Sequence, residues 1–248
     1  MRNSAQTIGA VLSQLTDSLV ASFEQILVLD NASVDGSADV VRQLIGTLSF
    51  GEKITIQAHA QNLGYGGSIK WALKWALELG AGAVAIIHSD DQTQWNEILQ
   101  PMVEVDSKFS TVVMGSRFSK LSNIRGYSRR RTLGNLLFKW LTALMVGFRM
   151  DDPGTAICVI PMRLINLEWL QELDDAYLFH PQLNIILHET EVGRVAVVPM
   201  LWHDATEDNH FPLFRYGLRL LGFLIRYAFF HRVLRKEPND AVVKAAKR

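Results

Sequence analysis

A chain of 248 residues that is 48% hydrophobic carries enough apolar side chains for one sizeable core, and single α/β domains commonly run to roughly 200–250 residues. Its 25 Lys and Arg balance 25 Asp and Glu, but residues 211–248 hold nine of the bases and two of the acids, so a basic end follows an acidic body. One cysteine, Cys158, excludes an intrachain disulfide and a cysteine-based zinc cluster and fits a reducing compartment. No apolar stretch reaches the ~20 residues of a membrane-spanning helix.

Residues 4–22 read as an amphipathic helix with Ile8, Val11, Leu12, Leu15 and Leu19 on one side, not as a secretory leader. Strand 26–30, helix 37–46, strand 53–58, helix 68–79, strand 83–88, helix 95–104 and strand 111–115 follow. This alternation predicts an α/β fold: a Rossmann-like, mostly parallel sheet with helices on both faces. Residues 119–131 are polar and arginine-rich and read as a long loop. Helix 132–147, strand 156–160, helices 162–173 and 181–190 and strand 194–199 complete a body ending at 205. Region 206–236 carries a long aromatic and basic helix from residue 211, and 237–248 reads as a flexible tail.

Chemistry concentrates at strand ends. Strand 26–30 runs into Asp30-Asn31-Ala32-Ser33-Val34-Asp35-Gly36-Ser37. Asp35 or Ser37 can cap the next helix, whereas Asp30, on the strand itself, suits a hydrogen bond to a ribose or base. Asn62-Leu63-Gly64-Tyr65-Gly66-Gly67-Ser68 precedes a helix, where glycines let amides approach an anion; an ordinary turn is the alternative. It is neither Gly-x-Gly-x-x-Gly nor a loop ending in Gly-Lys-Ser/Thr. His88, Asp90 and Gln92 alternate, so an extended segment puts them on one face as a metal edge. The alternative is a packed histidine, with Asp90 and Asp91 capping a helix. Neighbouring strand ends in an open α/β sheet share one crevice, where such acids meet a ribose, a divalent metal and a diphosphate together.

Arg129-Arg130-Arg131 is either a solvated loop or, beside the apolar Leu133, Leu137, Trp140 and Leu144, a clamp for a lipid phosphate. In 211–236, Arg215, Arg219 and Arg226 share one flank while Leu218, Leu221, Leu224 and Ile225 lie elsewhere. That suits interfacial docking on a membrane or a helix packed on the body with snorkelling arginines.

In order, Asp30-x-x-Ser-x-Asp-Gly-Ser, Asn62-x-Gly-x-Gly-Gly, x-x-Asp90-x-Gln92, Gly115-Ser116-Arg117-Phe118 and Asp152-Pro153-Gly154-Thr155 resemble the family 2 glycosyltransferases of the GT-A fold. Among these the chain is similar to polyprenyl-phosphate sugar synthases such as the dolichyl-phosphate mannosyltransferases, over about residues 3–205. The resemblance implies that Asp30 meets the nucleoside and that Asn62, Gly64, Gly66, Gly67 and Asp90 line the nucleotide-sugar site. By the same likeness Asp90 and Gln92, with His88, hold Mn²⁺ or Mg²⁺, and Arg117 with Arg129 or Arg131 binds phosphates. Asp152 or its neighbour Asp151 is the candidate base beside the acceptor. The activity implied is inverting, metal-dependent transfer of a hexose from a nucleotide diphosphate sugar to a polyprenyl phosphate. The enzyme would sit peripherally on the cytoplasmic, inner face of the membrane through its C-terminal helix, with no nucleic acid partner. Two rival readings are a glycosyltransferase for a soluble or protein-bound acceptor and a catalytically impaired membrane-associated scaffold.

Three departures from the family pattern bear on these expectations. The family's opening strand, ending in Pro-x-x-Asn-Glu, has no counterpart: Asn3 falls at its asparagine and Ser4 at its glutamate. Either the reading frame extends upstream of Met1 or the sheet lacks a member. His88 replaces the first acid of Asp-x-Asp, and an imidazole ligand would favour Mn²⁺ over Mg²⁺. Val197 stands where a glutamate often precedes Val-Pro.

Overall fold

A computed structural model of the chain describes residues 1–106, 108–126, 128–191, 194–203, 213–234 and 236–247, without the side chains of Arg130, Leu213 and Pro238. The first half follows the alternation: α1 (Ile8–Ser13), α2 (Asp17–Val20), β1 (Ile26–Asp30), α3 (Ser37–Ile45), β2 (Ile54–Ala58), α4 (Tyr65–Glu78), β3 (Ala83–Ile86), α5 (Trp95–Val105) and β4 (Val113–Ser116). The expected helix 4–22 is two helices. Thr16 adopts an extended conformation and its Oγ1 accepts from the Leu19 amide at 3.3 Å, so a polar cap restarts the helix.

The second half departs further. The expected loop 119–131 contains β5 (Asn123–Arg125), and α6 (Arg129–Val146) begins at the arginine run because Ser128 caps it, Oγ accepting from the Arg131 amide at 3.2 Å. Next come β6 (Cys158–Pro161), α7 (Leu167–Glu172), α8 (Phe179–Thr190), β7 (Ala196–Pro199) and β8 (Leu201–His203). The expected helix 162–173 keeps its second half, where Asn166 Oδ1 caps α7 by accepting from Glu168 N at 2.7 Å. The amphipathic α9 (Leu213–Ala228) ends in a π turn at Phe229–Val233. The boundary at 205/206, and residues 211, 212 and 235 of the expected C-terminal helix, lie outside the described residues. Where a flexible tail was expected, α10 (Pro238–Ala246) starts on a proline and buries Ala241, Val242 and Ala245 against α8 and α9.

Sheet pairing is mixed: β1–β2, β4–β7 and β5–β8 are parallel, while β6 runs antiparallel to both β3 and β4. Neighbouring residues of one strand serve opposite faces, as a period of two requires. Cys158 and Ile160 join a core with Leu73 of α4, Phe179 of α8 and Phe223 of α9. Val159 and Val113 join a second core with Leu12 of α1, Val41 of α3 and Trp95 of α5. Helices thus cover both faces. Among the described residues the sheet is not continuous, however: β1–β2 and β3–β6–β4–β7 are separate ladders, with no pairing between β1 and β3.

Candidate active site

The carboxyl ends of β1, β3 and β4 border one cavity of about 2090 Å³ that also runs between β1 and β3 and between α6 and α9. Its lining brings together Asn62, Gly64, His88, Asp90, Gln92, Arg117 and Arg131. Asp30, Gly66, Gly67, Arg129, Asp151 and Asp152 do not line it.

Asp90 borders the cleft beside His88, with 43% of its side chain accessible. Burial of its surroundings pushes its pKa up, but the His88 imidazole, Nδ1 3.7 Å from Oδ2, and the Gln92 amide outweigh this and hold it below the usual carboxylate range. His88 Nε2 faces the Tyr65 hydroxyl at 3.0 Å, so the histidine is held between Tyr65 and Asp90. The expected extended face of His88, Asp90 and Gln92 does not form: β3 stops at Ile86, and Asp91 at φ 54° turns the chain between Asp90 and a buried Gln92. That left-handed turn is anchored through Gln14, whose Nε2 donates to Asp91 Oδ1 at 2.6 Å while its Oε1 accepts from Trp95 N at 2.7 Å. Among the described residues no three His, Cys, Asp or Glu side chains converge as a metal cage. One ionised carboxylate at an open cleft nevertheless fits a Mg²⁺- or Mn²⁺-type ion that takes its other oxygens from a diphosphate and water.

The glycine turn is built differently from the expected anion cradle. Gly66 and Gly67 lie in the first turn of α4, and both amides donate to the Asp175 carbonyl, at 2.8 and 3.2 Å. Their lack of side chains admits the 174–175 backbone: a Cβ on Gly66 would lie 2.3 Å from the Asp174 oxygen. Asn62 Oδ1 accepts from Gly64 N at 2.9 Å and from Asn31 Nδ2 at 2.8 Å, and Asn31 Oδ1 accepts from Leu63 N at 2.8 Å. Asn31 therefore ties β1 to the turn, a role signalled only by an amide beside Asp30. Asp30 itself is 4% exposed, and its Oδ1 accepts from the amide and hydroxyl of Ser33.

Arg117 and Asp152 are partners. The guanidinium donates from Nε to Oδ2 at 2.7 Å and from Nη2 to Oδ1 at 2.8 Å, and the Arg117 amide adds a bond to Oδ2 at 3.1 Å. Asp152 is thus a buried anchor, and the structure does not present it to the cleft as a base. Arg117 lies 5.4 and 5.6 Å from the Phe118 and Trp202 ring centroids and borders the cleft. Asn184 of α8 fixes the Asp-Pro-Gly-Thr turn by donating to the carbonyls of Pro153 and Thr155 at 3.0 and 2.8 Å. Asp151 is exposed and pairs with Lys139 at 3.4 Å.

Sequence reasoning also missed Tyr65, Tyr177 and His180, which wall the cleft beside His88. Tyr65 stacks on Tyr177 with centroids 5.6 Å apart, and His180 lies 5.4 Å from it. Both ring nitrogens of the buried His180 lack a hydrogen-bond partner among the described residues; desolvation, then the charge of His88, lowers its pKa to about 3.

A cleft at the strand ends, floored by an ionised Asp90 and an aromatic-flanked arginine, on a sheet covered by helices, defines the class as a GT-A type α/β fold. Solved structures of glucosyl-3-phosphoglycerate synthase from Mycobacterium tuberculosis share it. The complex with Mn²⁺, UDP and glucosyl-3-phosphoglycerate superposes with TM-score 0.63 at 16% identity, covering 94% of this chain and 77% of that one. The complex with Mn²⁺ and UDP-glucose gives 0.62 at 14%, covering 94% and 76%. The profile of glycosyl transferase family 2 matches residues 1–174, and the chain belongs to that family. The UDP-N-acetylglucosamine–dolichyl-phosphate N-acetylglucosaminyltransferase of Methanococcus voltae is 27% identical over 148 residues, 55% of this chain and 58% of that relative's length. The five-motif resemblance is borne out as to family and fold.

Proposed function

We propose that the protein transfers a UDP-linked hexose to a polyprenyl phosphate at a membrane surface, with inversion. The observation that carries this reading is the composition of the cleft wall. Asp90, Arg117 and Arg131 lie along a cavity that continues between α6 and α9, past Leu137, Leu141, Phe214 and Leu218. Charge for a diphosphate and apolar surface for a lipid share one cavity. Beyond it, α6 exposes Leu133, Trp140 and Leu144, and α9 exposes Phe214, Leu218 and Ile225. Apolar area beside arginines matches a lipid surface better than water.

In this reading Asp90 holds the divalent ion, and His88, tied to Tyr65, keeps that carboxylate ionised and oriented. Gln92 stays a candidate ligand from the cleft wall. Charge developing on the leaving diphosphate would be neutralised by the bound ion. Arg117, its guanidinium fixed by Asp152, and Arg131, in the first turn of α6, would bind phosphate oxygens, whereas Arg129 lies off the cleft lining. A phosphate acceptor is already ionised, so Asp151 and Asp152 need not act as bases. A UDP-sugar donor is supported by the solved neighbours with bound UDP or UDP-glucose and by the archaeal relative's name, which also supplies the lipid-phosphate acceptor. No helix among the described residues is long and apolar enough to cross a membrane; the docking proposed here is peripheral, on the cytoplasmic face.

The test is a donor screen. Labelled UDP sugars are incubated with enzyme, polyprenyl phosphate and Mn²⁺ or Mg²⁺, and the organic phase is counted. Ion-dependent label in the lipid is expected; with every UDP sugar inactive on lipid, the reading fails.

A further inference from the structure

We propose that His180 selects the transferred sugar by hydrogen-bonding one of its hydroxyls, in a subsite walled by Tyr65 and Tyr177. The inference rests on the UDP-hexose donor proposed above and adds the residue that reads the hexose. His180 belongs to the first turn of α8 and lines the cavity, yet it is only 2% exposed. Neither of its ring nitrogens has a hydrogen-bond partner among the described residues. Leaving a buried polar group unpaired costs stability, and such groups stand out in a fold that pairs nearly all the others. Burial keeps the ring neutral, with one nitrogen a donor and the other an acceptor. A hydroxyl, donor and acceptor at once, matches that pair, whereas an ionised phosphate oxygen only accepts.

The close approach at Gly66 sets the place of this ring. A Cβ there would lie 2.7 Å from Phe179 Cβ, so the missing side chain lets the start of α8 dock on the start of α4. His180 then meets Tyr65, with centroids 5.4 Å apart, and packs T-shaped against Phe179 at 5.4 Å. Tyr65 also stacks on Tyr177, which is 52% exposed, and its hydroxyl lies 3.0 Å from His88 Nε2. His88 Nδ1 in turn lies 3.7 Å from Asp90 Oδ2. Contacts thus run from the carboxylate assigned to the ion to the orphaned imidazole, and a sugar joined to the ion-bound diphosphate would be the next group along this wall. Tyr177 offers aromatic surface to the apolar face of a sugar ring. Gln182 and Asn184, also buried on α8, are committed to Asp174 N and to the carbonyls of Pro153 and Thr155, and neither lines the cavity.

The test is calorimetry of UDP, UDP-glucose and UDP-N-acetylglucosamine binding to the chain, to His180→Phe and to His180→Gln, with Mn²⁺ throughout. Phenylalanine keeps a planar ring without a hydrogen bond, and glutamine keeps a donor and an acceptor at a different spacing. His180→Phe should weaken the better-bound UDP sugar at least ~10-fold and UDP itself less than ~2-fold, because only the sugar loses a partner. His180→Gln should weaken that sugar less, but still at least ~3-fold relative to UDP, and it decides the matter if His180→Phe does not fold. UDP and UDP sugar weakened alike would make His180 a structural residue and overturn the proposal. Unchanged affinities would also overturn it, leaving the ring to a buried water. With no acceptor present, failed transfer to lipid and failure of this subsite are read separately; a chain that binds neither UDP nor either UDP sugar overturns both.

Discussion

Removing the Asp152 carboxylate would leave the Arg117 guanidinium, 13% exposed, without its bidentate partner. Breaking a buried pair from one side costs about 3–5 kcal/mol, so Asp152→Ala should lower the unfolding free energy in urea by about that much. Asp151→Ala, at an exposed pair, should stay within about 0.5 kcal/mol. Equal, small effects would return Asp152 to candidacy as a base. His180 gives the second prediction at this scale. Its pKa is about 3 folded against an ordinary 6.5, so between these values the unfolded chain binds a proton that the folded chain refuses. Stability should fall as pH drops through that window, by about 1.4 kcal/mol per unit at most. His180→Phe should flatten this slope in urea midpoints taken at pH 6.5 and 5. An unchanged slope would mean that His180 is solvated. Asp90 and Arg117 could be read from sequence because strand-end polar groups follow hydrophobic runs. Asn31, Tyr65 and His180 could not, since each acts through contacts with distant segments.

Among the elements, α4 shows how close approach selects glycine. At Gly66 a Cβ would also meet Phe179 Cβ at 2.7 Å, whereas Gly134 in α6 has nothing within 4 Å. Gly66→Ala should therefore destabilise by about 1–3 kcal/mol through overpacking, and Gly134→Ala should stabilise by about 0.5–1 kcal/mol through lower unfolded-chain entropy. Thermal denaturation of the two variants checks both signs. The glycine cluster was visible in the sequence but its use was not, because the 174–175 backbone arrives from over a hundred residues away. The same holds for β5 and β8, three residues each, which pair across Asn123 and Leu201 and show no alternation of their own. Strands 26–30 and 54–58 were legible because each buries side chains within a local β–α repeat. The α6 boundary was missed although its signal, Ser128, stood in plain sequence.

At the scale of the molecule, the mixed and divided sheet separates what a repeat pattern conveys from what pairing decides. Alternation predicted layers but not the antiparallel course of β6. The exposed faces of α6 and α9 make one prediction of their own. Trp140→Ser with Leu218→Ser should leave the melting temperature nearly unchanged, as both side chains are more than half exposed. The double variant should bind anionic vesicles at least ~10-fold more weakly, because burial in the lipid interface contributes in proportion to apolar area. Undiminished vesicle sedimentation would remove this face from the docking surface.

The most direct test of the proposed transfer offers one preparation two acceptors at once, polyprenyl phosphate in vesicles and phosphoglyceric acid in solution, with a labelled UDP sugar and Mn²⁺. The expected result is label in the lipid fraction, reduced at least ~100-fold by Asp90→Ala. Label confined to the soluble acceptor, or lipid label that survives Asp90→Ala, would contradict it.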